Sequence, residues 1–215
     1  MKERPILFST LMVQAILEGR KTMTRRIVKP QPDEDDNMVL GLYHPTLVDS
    51  YGDIFPGTEK FGLSNEHYSI PGPYGKPGDV LWIRETWRPR THSFPTGYAY
   101  EYKATAKEDG VPVDEPWKPS IFMPRQASRI TLEITNVRVE RLQDISDEDA
   151  VKEGIEVIHM AEPTVPIYKR YDLKENKGTT NPFLSFQTLW KSINGKDSWD
   201  ANPWVWVIEF KKINE

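Results

Sequence analysis

The chain has 215 residues, 38% of them hydrophobic, which suffices for one sizeable domain with a buried core. It contains no cysteine, which excludes disulfides, thiolate zinc sites and cysteine nucleophiles, and fits a reducing, cytoplasmic setting. A net charge of −4 argues against broad, sequence-blind coating of nucleic acid, and no apolar run approaches the roughly 20 residues of a membrane span.

MKERPILFST lacks the apolar stretch and cleavage pattern of a secretory signal, so none is expected. Within it, residues 6–8 read as a short strand. Ser9 or Thr10 is placed to cap a helix carrying Leu11, Met12, Ala15 and Ile16 at helical spacing, with Gly19 at its end. KTMTRRIVK then reads as a strand that Pro30 and Pro32 stop. Residues 33–75 are acidic and rich in Gly, Pro and Tyr, without lasting periodicity, and are expected to form a long ordered loop inserted in the domain. KPGDVLWIRETW (76–87) begins with a turn and continues as a strand, with Leu81, Ile83 and Glu85 on one face. A hairpin-like Tyr stretch (98–103) and a Pro-rich loop (112–124) follow. The clearest strand is ASRITLEITNVRVERL (127–142), in which Ile130, Leu132 and Ile134 alternate with polar residues. Ser146 and Asp149 mark a helix start and Gly154 its end, with Glu153 in the last turn. Residues 157–180 are expected to be a second insertion. Asn181-Pro182 opens a helix ended by Gly195, and WVWVIEFKK (204–212) is the closing strand. The expected fold is α+β, one domain over residues 1–215, built as a small mixed β-barrel with short helices and two long insertions.

Charge is uneven along this order. Residues 1–31 hold Lys2, Arg4, Arg20, Lys21, Arg25, Arg26 and Lys29 against Glu3 and Glu18, a local +5 that leaves −9 elsewhere. One compact basic spot suits a small anion or a few nucleotides; the alternative is a solvated surface. His44, His67, His92 and His159 are far apart and none has ligand spacing, so no metal is expected. There is no phosphate-binding glycine loop, no dinucleotide fingerprint and no GxSxG, and no cofactor is implied.

The stretch that stands out is ILEGRKTMTRR (16–26). After a helix-ending glycine, an amine, hydroxyls and guanidinium groups follow within seven residues. Gly19, Lys21 and Arg26 there resemble the GxKxxxxR signature of the ASCH domain, a PUA-like β-barrel family. KPGDVLWIRETW, LQDISDEDAVKEG and WVWVIEF resemble further segments of that family in the same order. The long form, from RPILFST to SINGKDSWDANPWVWVIEF, is similar to bacteriophage and prophage members. The resemblance implies an amidohydrolase that removes the acetyl group from N(4)-acetylcytidine. It places the catalytic set on Lys21, Thr24 and Glu153, with Glu148 or Glu156 as alternatives to the last. It also implies no cofactor, and a nucleoside or short RNA as partner, with no membrane and no metal.

Deacetylation needs a nucleophile, a proton shuttle and a donor for the developing oxyanion. Thr24 suits the first role. Lys21 as base must lose its proton near neutral pH, a fall of about 3 units from about 10.4. Alternatively Glu153 is the base and charged Lys21 holds the oxyanion; the sequence leaves both open. On a regular strand Lys21 and Thr24 would face opposite ways, so a shared site requires a turn or bulge between them. Expected substrate contacts are Gly19, Arg20, Arg26, Glu85, Trp87 and Arg125, with Tyr74, Trp82 and Trp204 as further stacking candidates. The competing readings are a non-catalytic RNA-binding module, in which Lys21 and Thr24 carry no chemistry, and a ribonuclease.

Overall fold

Runs rich in β-branched and aromatic residues, alternating with polar ones at the start of Thr131–Arg141 and almost continuously apolar in Trp204–Ile213 up to Phe210, form the long strands, which pair as one mixed sheet. In the computed structural model the described residues are 1–32, 40–58, 60–63, 69–90, 100–112, 116–162, 164–173 and 177–213. The main elements are β1 (Glu3–Leu7), α1 (Thr10–Leu17), β2 (Met23–Ile27), β3 (Val80–Arg84), β4 (Thr131–Arg141), α2 (Asp147–Lys152), α3 (Pro182–Asn194) and β5 (Trp204–Ile213). The sheet order is β1-β3-β4-β5-β2, with β1 parallel to β3 and every other pair antiparallel. β4 and β5 form its spine, in register from Thr131↔Ile213 to Arg141↔Trp204, with one irregularity between Ile134 and Asn136.

The architecture is α+β. Among the described residues the sheet stays open, with β1 and β2 as its edges. The edges nevertheless touch: the Arg26 guanidinium of β2 donates to the Leu7 carbonyl of β1 at 2.6 Å. Helices α2 and α3 start at side-chain caps, whereas Ser9 precedes α1 without the capping hydrogen bond expected there. The Ser146 hydroxyl accepts the Asp149 N–H, and Asn181 Oδ1 accepts that of Leu184. α1 buries Met12, Val13, Ala15 and Ile16, and α3 buries Phe186, Leu189 and Trp190 in the same core as β1–β5. No helix among the described residues is long and apolar enough to cross a membrane.

Both insertions differ from the loop expectation. The first carries a three-stranded sheet (Leu40–Tyr43, Lys60–Leu63, Ser69–Pro71) and a hairpin of Thr46–Val48 with Ile54–Pro56. The second carries Val157–Ala161, Val165–Lys169 and Gly178–Thr179 as another small sheet. Strands of two to five residues between glycines and prolines are too short to show a period of two, which is why sequence periodicity misses them. Phe61 ties the first insertion to the main core, with its ring 5.5 Å from Trp204 and 6.0 Å from Trp206.

Candidate active site

The site begins where α1 ends. Glu18 caps the helix, Gly19 turns the chain with a φ of +75°, and the N–H groups of Arg20 and Lys21 both donate to the Ala15 carbonyl. Lys21 then makes an isolated antiparallel bridge with Glu153, and Thr22 N–H donates to Lys152 at 2.9 Å. Regular β2 starts only at Met23. The alternation rule therefore does not span residues 21–24, and Lys21 and Thr24 line the same cavity.

That cavity holds about 350 Å³, at the lower end of small-ligand pockets. Lys21, Thr24, Arg25, Arg26 and Glu153 supply much of its polar wall, to which Lys29 adds a further cation; Phe8, Tyr74, Phe186, Leu189 and Trp190 supply much of its apolar one. Lys21 Nζ donates to Glu153 Oε2 at 2.7 Å and to the Glu153 carbonyl at 2.8 Å, and both residues are about 4% exposed or less. The second carboxylate oxygen, Oε1, takes an N–H from Arg25 at 3.1 Å. Arg25 also reaches Glu140 at 2.5 Å and Asp149 at 3.2 Å, and Arg138 ties those two carboxylates to Glu209. Glu153 is thus the inner end of a chain of alternating charges running out to the surface.

Burial is the main effect on the Lys21 amine and pushes its pKa down; Glu153 opposes this, and Arg26 and Arg25 add to the fall. Burial also lowers Arg26, against the pull of Tyr74 and Glu153, and raises the Tyr74 phenol, against Arg26. Arg26 has no carboxylate partner among the described residues. It rests 5.0 Å over the Phe8 ring, and its Nε and the Trp190 Nε1 are buried donors without a protein acceptor. Orphan donors in a cavity wall call for an acceptor brought from outside.

Close packing at the end of α2 sets this geometry. Gly154, with a φ of +85°, lies so near Lys21 that an added Cβ would stand 2.7 Å from the Lys21 Cβ. Only glycine lets α2 deliver Glu153 to that amine.

Of the expected substrate contacts, Arg26 lines the cavity and the other five do not. Gly19 is exposed at the turn, where it serves the backbone. Arg20 clamps two helix ends, donating to Glu18 at 2.6 Å and to the Gly154 carbonyl at 2.8 Å. Glu85 is 1% exposed and paired with Arg129 at 2.9 Å; burial raises its pKa despite that partner. Trp87 packs with Met123, Ala127, Tyr100 and Tyr102 in a small separate cluster. Arg125 pairs with Glu3 at 2.9 Å on the surface. Of the stacking candidates Tyr74 reaches the cavity, while Trp82 and Trp204 do not. Glu148 and Glu156 also lie outside it, and Glu156 pairs with Lys169.

Sequence reasoning missed Phe186, Leu189, Trp190 and Ile193 as cavity residues. Their spacing of three and four along α3 was the available signal, but it marks an apolar face without saying what that face meets. It also missed Arg25, whose three carboxylate partners come from two distant segments, Glu140 on β4 and Asp149 and Glu153 on α2 and its cap. Among the described residues no group of three His, Asp or Glu side chains is placed to hold a metal ion; His67 and His92 lie outside the described residues. Compared with protein-family models, curated proteins and solved structures, the chain gives no match.

Proposed function

We propose that the chain is a long ASCH-type protein of PUA-like descent that hydrolyses the amide of an acylated nucleobase such as N(4)-acetylcytidine. One observation carries the reading: a buried amine, a hydroxyl and a carboxylate from Lys21, Thr24 and Glu153 border one nucleobase-scale cavity with aromatic walls.

The arrangement favours Lys21 over Glu153 as the base. Both Glu153 oxygens already accept hydrogen bonds, Oε2 from the Lys21 amine and Oε1 from Arg25, so the carboxylate is committed to holding its neighbours. A neutral Lys21 amine has two N–H bonds, matching its two contacts with Glu153, and a lone pair left for a third direction. Thr24 Oγ attacks the acyl carbonyl carbon while its proton passes to Lys21. Arg26, a cavity cation without a carboxylate partner among the described residues and with a buried, unsatisfied Nε, receives the developing oxyanion. Collapse breaks the C–N bond, and the Lys21 ammonium returns the proton to the departing exocyclic nitrogen. Water then adds to the Thr24 ester, giving its proton to Lys21, and the acid leaves with Thr24 regenerated.

The test is to incubate the protein with N(4)-acetylcytidine and with short RNA, following cytidine, acetate and strand cleavage. Cytidine and acetate should appear together, with kcat lowered at least about 100-fold in Lys21→Met and in Thr24→Val. RNA binding without turnover would establish the binding-module reading instead. Cleaved strands without acetate would establish the nuclease.

A further inference from the structure

A second cavity, of about 750 Å³, lies beside the first. The turn at residues 72–75 belongs to both: Tyr74 borders the first cavity, while Gly72 and Gly75 border the second. The sheet links them as well. Arg26 of the first cavity and Trp206 of the second are direct cross-strand partners on β2 and β5, and such partners project from the same face. The two cavities are therefore neighbours, sharing one turn and one cross-strand pair.

The second cavity is cationic. Lys2, Arg4 and Lys76 line it against a single carboxylate, Asp79. That carboxylate is already engaged by the backbone N–H groups of Lys2 at 2.8 Å and Lys76 at 3.4 Å. Arg4 makes no hydrogen bond or ion pair among the described residues, and its Nε is buried without an acceptor. Leu42, Pro71, Val137 and Trp206 form much of its apolar wall, and His44 and Thr58 add neutral polar groups. Lysine and arginine side chains that no carboxylate holds by a hydrogen bond are the chemistry that binds a phosphodiester, here beside the edge of the buried Trp206 ring.

We infer that the second cavity binds the nucleotide adjoining the modified base, so that the preferred substrate is a short single-stranded polynucleotide rather than a free nucleoside. This rests on the proposed function for the first cavity but not for the second. The net charge of −4 fits it, because a few phosphate contacts in one pocket need no extended basic groove.

A fluorescein-labelled hexanucleotide RNA, titrated onto the full chain and followed by anisotropy, tests the site without chemistry. Saturable binding is expected, weakened tenfold or more by Arg4→Ala and by Lys76→Glu. The slope of log affinity against log salt should fall by about 0.7 for each phosphate contact removed. Lys76 is exposed, so its variant keeps the test open if Arg4→Ala fails to fold. In a second arm, kcat/KM for the hexamer carrying one N(4)-acetylcytidine, taken relative to the free nucleoside, should drop tenfold in Lys76→Glu through KM. If the hexamer binds no tighter than a mononucleotide, or both variants bind as the parent does, the inference is overturned. Binding that the variants lose, with no hydrolysis anywhere, would leave this site standing and remove the hydrolase reading alone.

Discussion

Burying an ammonium disfavours its charged form, and at Lys21 the nearby arginines push the same way while Glu153 resists. The outcome is an amine that loses its proton below the usual value of about 10.4. If neutral Lys21 is the base, kcat rises with pH, tenfold per unit, until that lowered pKa is passed. A rate that stays flat down to the carboxylate range would assign the proton to Glu153 instead. Lys21→Arg keeps the charge but never the neutral form, so it should be inactive across the whole range. The same shift has a sign for stability. Between the lowered folded pKa and the ordinary one, the unfolded chain binds more protons at this position. The contribution of Lys21 therefore improves as pH climbs through that window.

At the scale of elements, the site is a joint between the end of α1, the start of β2 and the end of α2. Gly154 is its tightest point. Gly154→Ala would force a left-handed backbone on a residue with a Cβ, about 1–2 kcal/mol, and press that Cβ onto Lys21. Denaturant unfolding should register a loss of at least that size, and the pH–rate profile should shift as Lys21 and Glu153 separate. An unchanged midpoint and profile would show that the joint tolerates the extra carbon. Much of this joint was legible in the chain: Gly19 and Gly154 as helix ends, Ser146 as a cap, and the Lys21–Thr24 segment as the concentrated chemistry. The bridge between Lys21 and Glu153 was not, since it joins residues 132 apart and no local pattern encodes such a pairing. Glu85 illustrates the opposite error. A carboxylate just past the end of β3 looks available in one dimension, but Arg129 claims it in three.

For the whole molecule, the first cavity exists only because distant parts of one core converge. Phe8 follows β1, Tyr74 comes from the edge of the first insertion, Glu153 from the end of α2, and Phe186 and Trp190 from α3. The first insertion thus belongs to the cavity architecture: it ends in the turn that the two cavities share, and Phe61 anchors it against Trp204 and Trp206. The sheet holds Thr24 in register with Ile208, on the element that faces the helices. What this convergence must achieve is a reacting geometry. A crystal structure of Lys21→Met with N(4)-acetylcytidine bound examines it most directly, because the variant keeps the nucleophile while slowing its attack. The acetyl carbonyl carbon should lie about 3–3.5 Å from Thr24 Oγ, with the carbonyl oxygen toward Arg26. A base seated elsewhere, or in the cavity with its acetyl group turned away from Thr24, would contradict the account.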